Sequence, residues 1–358
     1  MQRRNFLKMS ALTPAALAIG ATPSLAQSGA LPLSELADEI DTRLFRADGL
    51  AVPLADTPAK SPLAEGLDRT LVLGGGGEWY VAWCCGFFHG LMDEGIDAAS
   101  LAEMIVGTSA GSYIGSSMAS GHFQRLRAEF DFFGYFPGLF ARMAPVSDPN
   151  ASQQRAQKIN AAAKDGSLAT RQIIGHAALA ADNHLNGQAV ERVAAFLTGD
   201  SKTGWPAAKM HTTAVDCYTG ERIIVSQATA QQNNIPLAHG AAASSSLPGI
   251  MGPTLLGQRY CMDGGMCSNP AHVDLVAGSK RAIVVTLNDG LKPPFLTGIP
   301  HPVGENIRQI EAVGTKTLWI KADPPDVNLL DPKEISPALH TGYERGKREA
   351  AAIKAFWG

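Results

Sequence analysis

Two short apolar runs, each ending in glycine, organise the reading of this chain. Thr70-Leu71-Val72-Leu73 has no polar alternation, the pattern of a strand covered on both faces, and it opens into Gly74-Gly75-Gly76-Gly77. An apolar stretch of helical length follows, from Trp79 to Glu94, and Gly95 stops it. Met104-Ile105-Val106 repeats the buried-strand pattern and enters Gly107-Thr108-Ser109-Ala110-Gly111, with a predicted helix over Tyr113 to Ala119. Strand, glycine loop, helix, strand, tight turn, helix is the grammar of a parallel α/β sheet with right-handed crossovers. Both glycine turns are then expected at the C-terminal ends of neighbouring strands.

Beyond residue 122 the pattern changes. Residues 123 to 204 hold an aromatic cluster from Phe130 to Phe140 and then Ala-rich amphipathic segments, which predict a helical insertion or cap. Strands resume at His211 to Val215, Arg222 to Val225, Arg259 to Met262, Arg281 to Leu287 and Thr317 to Ile320, and a closing helix is predicted from Ser336 to Phe356. The segment from Gln27 to residue 66, with one helical candidate at Leu33 to Phe45, reads as an extension, so the main domain is placed at residues 67 to 358. There is no internal repeat.

The first residues add a separate message. Arg3-Arg4-Asn5-Phe6-Leu7-Lys8, an apolar stretch from Met9 to Ala21, and Ser24-Leu25-Ala26 come in the order of an export signal with a small-residue cleavage site, and the arginine pair resembles the twin-arginine type. Residues 1 to 26 are expected to leave the mature protein. Their loss takes Arg3, Arg4 and Lys8 and no acid, moving the net charge from −3 to −6. The expected location is the periplasm or the exterior, and the expected partner of the precursor is the twin-arginine machinery.

Composition then narrows the function classes. With 45% apolar and 18% charged residues over 358 positions, the chain can bury a large core. No basic run follows the first ten residues, so the electrostatic footprint of a nucleic-acid binder is missing. Cys84, Cys85, Cys217, Cys261 and Cys267 are an odd set. Cys84 and Cys85 sit in a predicted apolar helix and read as packing residues. Cys261 and Cys267 flank a turn at a spacing that leaves a disulfide open. No Cys/His spacing matches a metal site, and no cofactor motif is found. The glycine loop lacks the third glycine of a dinucleotide fingerprint, since Trp79 and Tyr80 stand there, and it has no Gly-Lys-Ser/Thr ending of a phosphate loop.

Three elements carry candidate chemistry. Gly107-x-Ser109-x-Gly111 lies between a strand and a helix, where a serine is held on a sharp turn with its hydroxyl presented and a helix N-terminus behind it. The side-chain-free amides of the Gly74 to Gly77 loop, one strand and one helix earlier, suit an oxyanion. Asp263, before Gly264 and Gly265, follows the Arg259 to Met262 strand and is positioned as a base. His272, His301 and His340 follow Asp263 in the order of a Ser-Asp-His hydrolase, which keeps a triad reading open. A lipid-binding protein without turnover is the other alternative.

With these residues in place, the chain resembles the patatin-like phospholipase family, in the bacterial branch with a four-glycine loop. The resemblance runs from Leu71 to Gly121, resumes at His211 to Gly220, is strong from Ala243 to Gly278 through Ser244-Ser245-Ser246-Leu247-Pro248-Gly249, and touches Gly342-Tyr343-Glu344. It implies a three-layer α/β fold with a mainly parallel sheet, a nucleophile at Ser109, a base at Asp263, oxyanion donors at Gly75, Gly76 and Gly77, and a lipid or membrane-surface substrate cleaved at an ester without metal or cofactor. Family members often carry Arg or Lys and then Gly after the oxyanion loop. Here Glu78-Trp79-Tyr80 stands instead, a departure that bears on substrate preference.

Overall fold

The computed structural model describes residues 46–55, 57–143, 148–199, 204–290 and 296–358. The export signal and the helical candidate at Leu33 to Phe45 lie outside the described residues. Within them, one compact unit extends from Arg46 to Gly358. Its boundary lies before residue 67, because part of the expected extension joins the sheet. Ala51 bridges Ile223, and Leu50 is fully buried.

The centre is an eight-stranded sheet of β1 (Arg69–Leu73), β2 (Met104–Gly107), β3 (Met210–Asp216), β4 (Arg222–Val225), β5 (Thr254–Leu256), β6 (Arg259–Asp263), β7 (Arg281–Thr286) and β8 (Lys316–Lys321). The run β3-β2-β1-β7-β8 is parallel throughout. Its strands read as unbroken apolar runs because alternate residues feed two cores. Leu71, Leu73, Ile105, Ile283 and Val285 pack on one face, and Val72, Val106, Ala282 and Val284 on the other.

Helices cover both faces. α1 (Gly77–Asp93) and α2 (Ala98–Leu101) cross from β1 to β2, and α3 (Ala110–Ala119) leaves β2. The insertion carries α4 (Phe123–Tyr135), α5 (Pro137–Met143), α6 (Ala151–Ala161), α7 (Leu168–Leu179) and α8 (Gly187–Thr198). α9 (Gln227–Asn233), α10 (Leu237–Ser244) and α11 (Val303–Ala312) were not expected, although α11 carries Val303, Ile307 and Ile310 at helical spacing, all buried. The final helix, α12 (Ile335–Trp357), packs lengthwise against α1 at backbone contact. A Cβ on Gly86 would stand 2.0 Å from the Leu339 carbonyl oxygen, and one on Gly342 would stand 2.0 Å from that of Trp83. Only glycine permits that approach. Cys84 and Cys85 are buried on α1, as their apolar context predicts.

The other end of the sheet departs from the parallel grammar. β4 and β6 both run antiparallel to β3, and β5 runs antiparallel to β6. β3 is long enough to hold two partners in succession: β2 pairs with it as far as Thr212, and β6 pairs with it from Ala214 onward. Since β4 covers Thr212 to Val215 as well, β2 and β6 must share one edge of β3. The end of β6, at Asp263 opposite Ala214, therefore returns to the level where β2 ends, at Gly107 opposite Thr212.

The start of β6 is tied down by charge. Arg259 is buried and holds Asp48 (2.7 Å), Asp216 (2.9 Å) and Glu221 (2.8 Å) at once. Three carboxylates on one guanidinium lock β6 to the β3–β4 turn and to the entering chain. A buried arginine is tolerated only with such pairing. Cys261 and Cys267 do not bridge: all five cysteines are free. Cys261 is fixed within β6 between two strands, whereas Cys267 lies beyond the turn, with Sγ 3.2 Å from the Asn269 carbonyl oxygen.

Candidate active site

Ser109 follows Thr108 in the two-residue turn between β2 and α3, and its backbone is strained there, at φ 52° and ψ −121°. A non-glycine residue in this region costs on the order of 1–3 kcal/mol and persists only where its surroundings fix it. Those surroundings are visible. The Ser109 amide donates to Ser244 Oγ at 2.9 Å, Ser112 Oγ donates to the Ser109 carbonyl at 2.6 Å, and Thr108 Oγ1 lies 2.9 Å from Thr213 Oγ1 on β3. Gly111 lets α3 start against the first strand, since a Cβ there would fall 2.3 Å from the Leu73 carbonyl oxygen. Gly107 closes the same turn against the Gly111 carbonyl.

The glycine loop lies against this elbow. A Cβ on Gly75 would be 3.1 Å from Ser109 Cβ, Gly76 is the N-cap of α1, and Gly77 opens that helix with φ +64°. Among the described residues, no backbone acceptor is taken by the Gly75 or Gly76 amide. The N-termini of α1 and α3 thus converge on one place, each carrying partial positive charge.

Asp263 completes the group. Its carboxylate lines one pocket with Ser109, close enough to feel the serine hydroxyl, and the Gly265 amide donates to Oδ1 at 2.7 Å. Gly264 presses on Thr213 too closely for a side chain, which holds the turn against β3. Asp263 is 3% exposed, and burial raises its pKa to about 6, the neighbouring Ser109 hydroxyl and the Gly265 amide opposing only part of that rise. A carboxylate of that basicity is well suited to take up a proton near neutral pH.

The three histidines of the triad reading separate. His272 is buried with its Nε2 2.8 Å from the Gly264 carbonyl oxygen, and burial lowers its pKa to about 3. It is a neutral prop beneath the Asp-Gly-Gly turn. His340 is exposed on α12. His301 shares a pocket with Ser109 and Asp263, its pKa held at about 4 by burial, but its Nε2 has no hydrogen-bond partner. None of the three takes the place of an imidazole between serine and aspartate.

Two pockets meet at Ser109. One runs past Asp263 and the glycine loop to Thr286, Asn288, Thr297 and His301. The other is walled by Val81, Phe130, Phe140, Leu185, Val190 and Leu197 and has Glu78 and Tyr113 on its lining. Half of its apolar lining comes from the helical insertion. The Phe130 to Phe140 cluster divides: Phe130, Phe133 and Phe140 are buried, whereas Phe132, Tyr135 and Phe136 are exposed. Ser244, Thr213 and Tyr113 were not singled out from the sequence as site residues, though Ser244 and Thr213 stood within stretches of the family resemblance, and His301 was named only as a triad candidate. Among the described residues no cluster of side chains suits a metal ion, and no helix is long and apolar enough to cross a membrane.

The chain belongs to the patatin-like phospholipase family, whose model matches residues 71–275. The match holds the glycine loop, Ser109 and Asp263. Solved structures that resemble the chain include the type III effector ExoU, at 15% identity and a TM-score of 0.35 over 81% of this chain and 54% of that one. VipD from Legionella pneumophila is 12% identical with a TM-score of 0.39, over 88% of this chain and 73% of that one. The chain therefore spans about half the length of ExoU. No curated protein matches it.

Proposed function

From membership of the patatin-like phospholipase family and the arrangement around Ser109, we propose that this protein is an exported serine acyl hydrolase that cleaves carboxylic esters of phospholipids or related lipids with a Ser109/Asp263 dyad. The observation that carries the proposal is the placing of the strained Ser109 elbow beside a buried carboxylate of raised basicity in one pocket with the glycine loop, with no histidine bonded to either.

The dyad would work in two halves. Asp263 accepts the hydroxyl proton as Ser109 Oγ attacks the ester carbonyl, and the Gly75 and Gly76 amides, with Gly77 at the helix start, receive the oxyanion. Collapse breaks the bond to the leaving oxygen, which takes the proton back from Asp263 and departs as an alcohol or lysophospholipid. Asp263 then deprotonates a water that attacks the acyl-enzyme. Ser109 and the free acid are restored.

Lipid as substrate is supported by the two pockets. An acyl chain fits the apolar one, and the pocket with Thr286, Asn288 and His301 suits the polar alcohol side. The exposed Phe132 and Tyr135 on α4, and Phe136 at its C-terminal cap, flank the apolar pocket that α4 helps to wall, where they suit contact with a lipid surface. Export and the bacterial four-glycine branch rest on the Arg3-Arg4 segment and on Gly74 to Gly77.

The deciding experiment is Ser109→Ala, assayed on phospholipid and on short acyl esters, with fluorophosphonate labelling alongside. Hydrolysis and labelling are expected to vanish while the melting temperature stays within about 2 °C, since the hydroxyl contributes little packing. Hydrolysis surviving at more than a trace would remove Ser109 from the reaction.

A further inference from the structure

Glu78 is the first side chain after the glycine loop, in the first turn of α1, and it lines the same apolar pocket as Ser109. Its carboxyl oxygen Oε2 is buried without a hydrogen-bond partner. A buried polar atom left unpaired costs about 1–3 kcal/mol, so its presence in a wall of Val81, Phe130, Phe140 and Leu197 calls for a function. The other polar side chains on that wall are already engaged. Ser109 stands beside Asp263, the Tyr113 hydroxyl pairs with Ser245 Oγ, and Ser245 Oγ reaches the Ala241 carbonyl. Nothing polar on the wall remains for Glu78 except what a substrate brings.

We infer that Glu78 is a specificity residue of the acyl pocket, selecting acyl groups that carry a hydroxyl a few carbons from the scissile carbonyl. The inference rests on the acyl-hydrolase reading above. The position on the chain follows from connectivity, since Glu78 is bonded directly to Gly77, and consecutive Cα atoms are about 3.8 Å apart, so its carboxyl reaches only the first part of an acyl chain whose carbonyl oxygen sits on the loop. The choice of a hydroxyl follows from the unpaired Oε2 on the pocket lining, since a hydroxyl can donate to that oxygen and can also accept from a protonated carboxyl; burial, which raises the Glu78 pKa, is consistent with a partner of that kind. An aliphatic acyl chain can do neither.

The test compares para-nitrophenyl esters of decanoic acid and of its β-hydroxy counterpart, with wild type, Glu78→Leu and Glu78→Gln. Wild type is expected to favour the hydroxyacyl ester by about tenfold or more in kcat/KM, the discrimination typical of one buried hydrogen bond. Glu78→Gln keeps most of that ratio, because the amide also donates and accepts, and Glu78→Leu brings it to about one. Glu78→Ala replaces the leucine variant should that one not fold. A wild-type ratio near one with active hydrolysis of the plain ester overturns the role of Glu78 alone. Absence of hydrolysis of either ester overturns it together with the acyl-hydrolase reading. A ratio that stays high in Glu78→Leu or Glu78→Ala shows that another group reads the hydroxyl.

Discussion

Asp263→Asn is expected to weaken the reaction and strengthen the fold, and the two effects come from the same buried charge. In the folded protein the Asp263 carboxyl titrates at about 6 because burial disfavours its anion, whereas an unfolded aspartate titrates near 3.9. Below pH 4 both states hold the proton and the group contributes no pH-dependent term. As pH rises from about 4 to about 6 the unfolded chain loses the proton first, so the folded state is progressively disfavoured. Above about 6 the penalty is complete, and roughly two pKa units at 1.36 kcal/mol each come to about 3 kcal/mol. Asparagine does not titrate. Its own amide desolvation is the same at every pH, so the difference between variant and wild type should shift by about 3 kcal/mol in the variant's favour between pH 4 and pH 8. Urea unfolding of both proteins at the two pH values measures it. Acylation of Ser109 should fall by about 10²–10⁴-fold, and the wild-type rate should show an acid limb near pH 6. An equal stability difference at pH 4 and pH 8 would refute the buried-charge argument. An unaltered acylation rate would refute the base.

Arg259→Ala should cost about 3–5 kcal/mol in urea unfolding at pH 7, because it leaves Asp48, Asp216 and Glu221 together without their cation. A loss under about 1 kcal/mol would mean that the acids relax into water and that the cluster does not anchor β6. Replacing Arg3 and Arg4 together by Lys is expected to leave uncleaved precursor in the cytoplasm, seen by fractionation and N-terminal sequencing. Normal maturation of that variant would reject the twin-arginine assignment.

What the sequence determined by itself is the central machinery of the sheet. A strand buried on both faces must be apolar at every position, so Leu71 to Leu73, Met104 to Val106 and Arg281 to Leu287 could be placed within a residue or two. The elbow and the glycine loop were equally legible, since the backbones that meet at Gly111 and Gly77 leave no room for a side chain whatever else the chain does. Asp263 was legible only through its Gly-Gly neighbours and the order of motifs. What brings it to Ser109 is the antiparallel course of β6 along the edge of β3 that β2 vacates, and strand direction leaves no mark on the composition of a strand. Arg259 with its three acids, His272 under the Gly264 carbonyl, and the union of Glu78 with insertion residues in one pocket were decided by tertiary structure alone. Each depends on groups far apart in the chain, whose pairing is set by the packing of whole elements, and no local periodicity records which distant partner a buried charge or ring will meet.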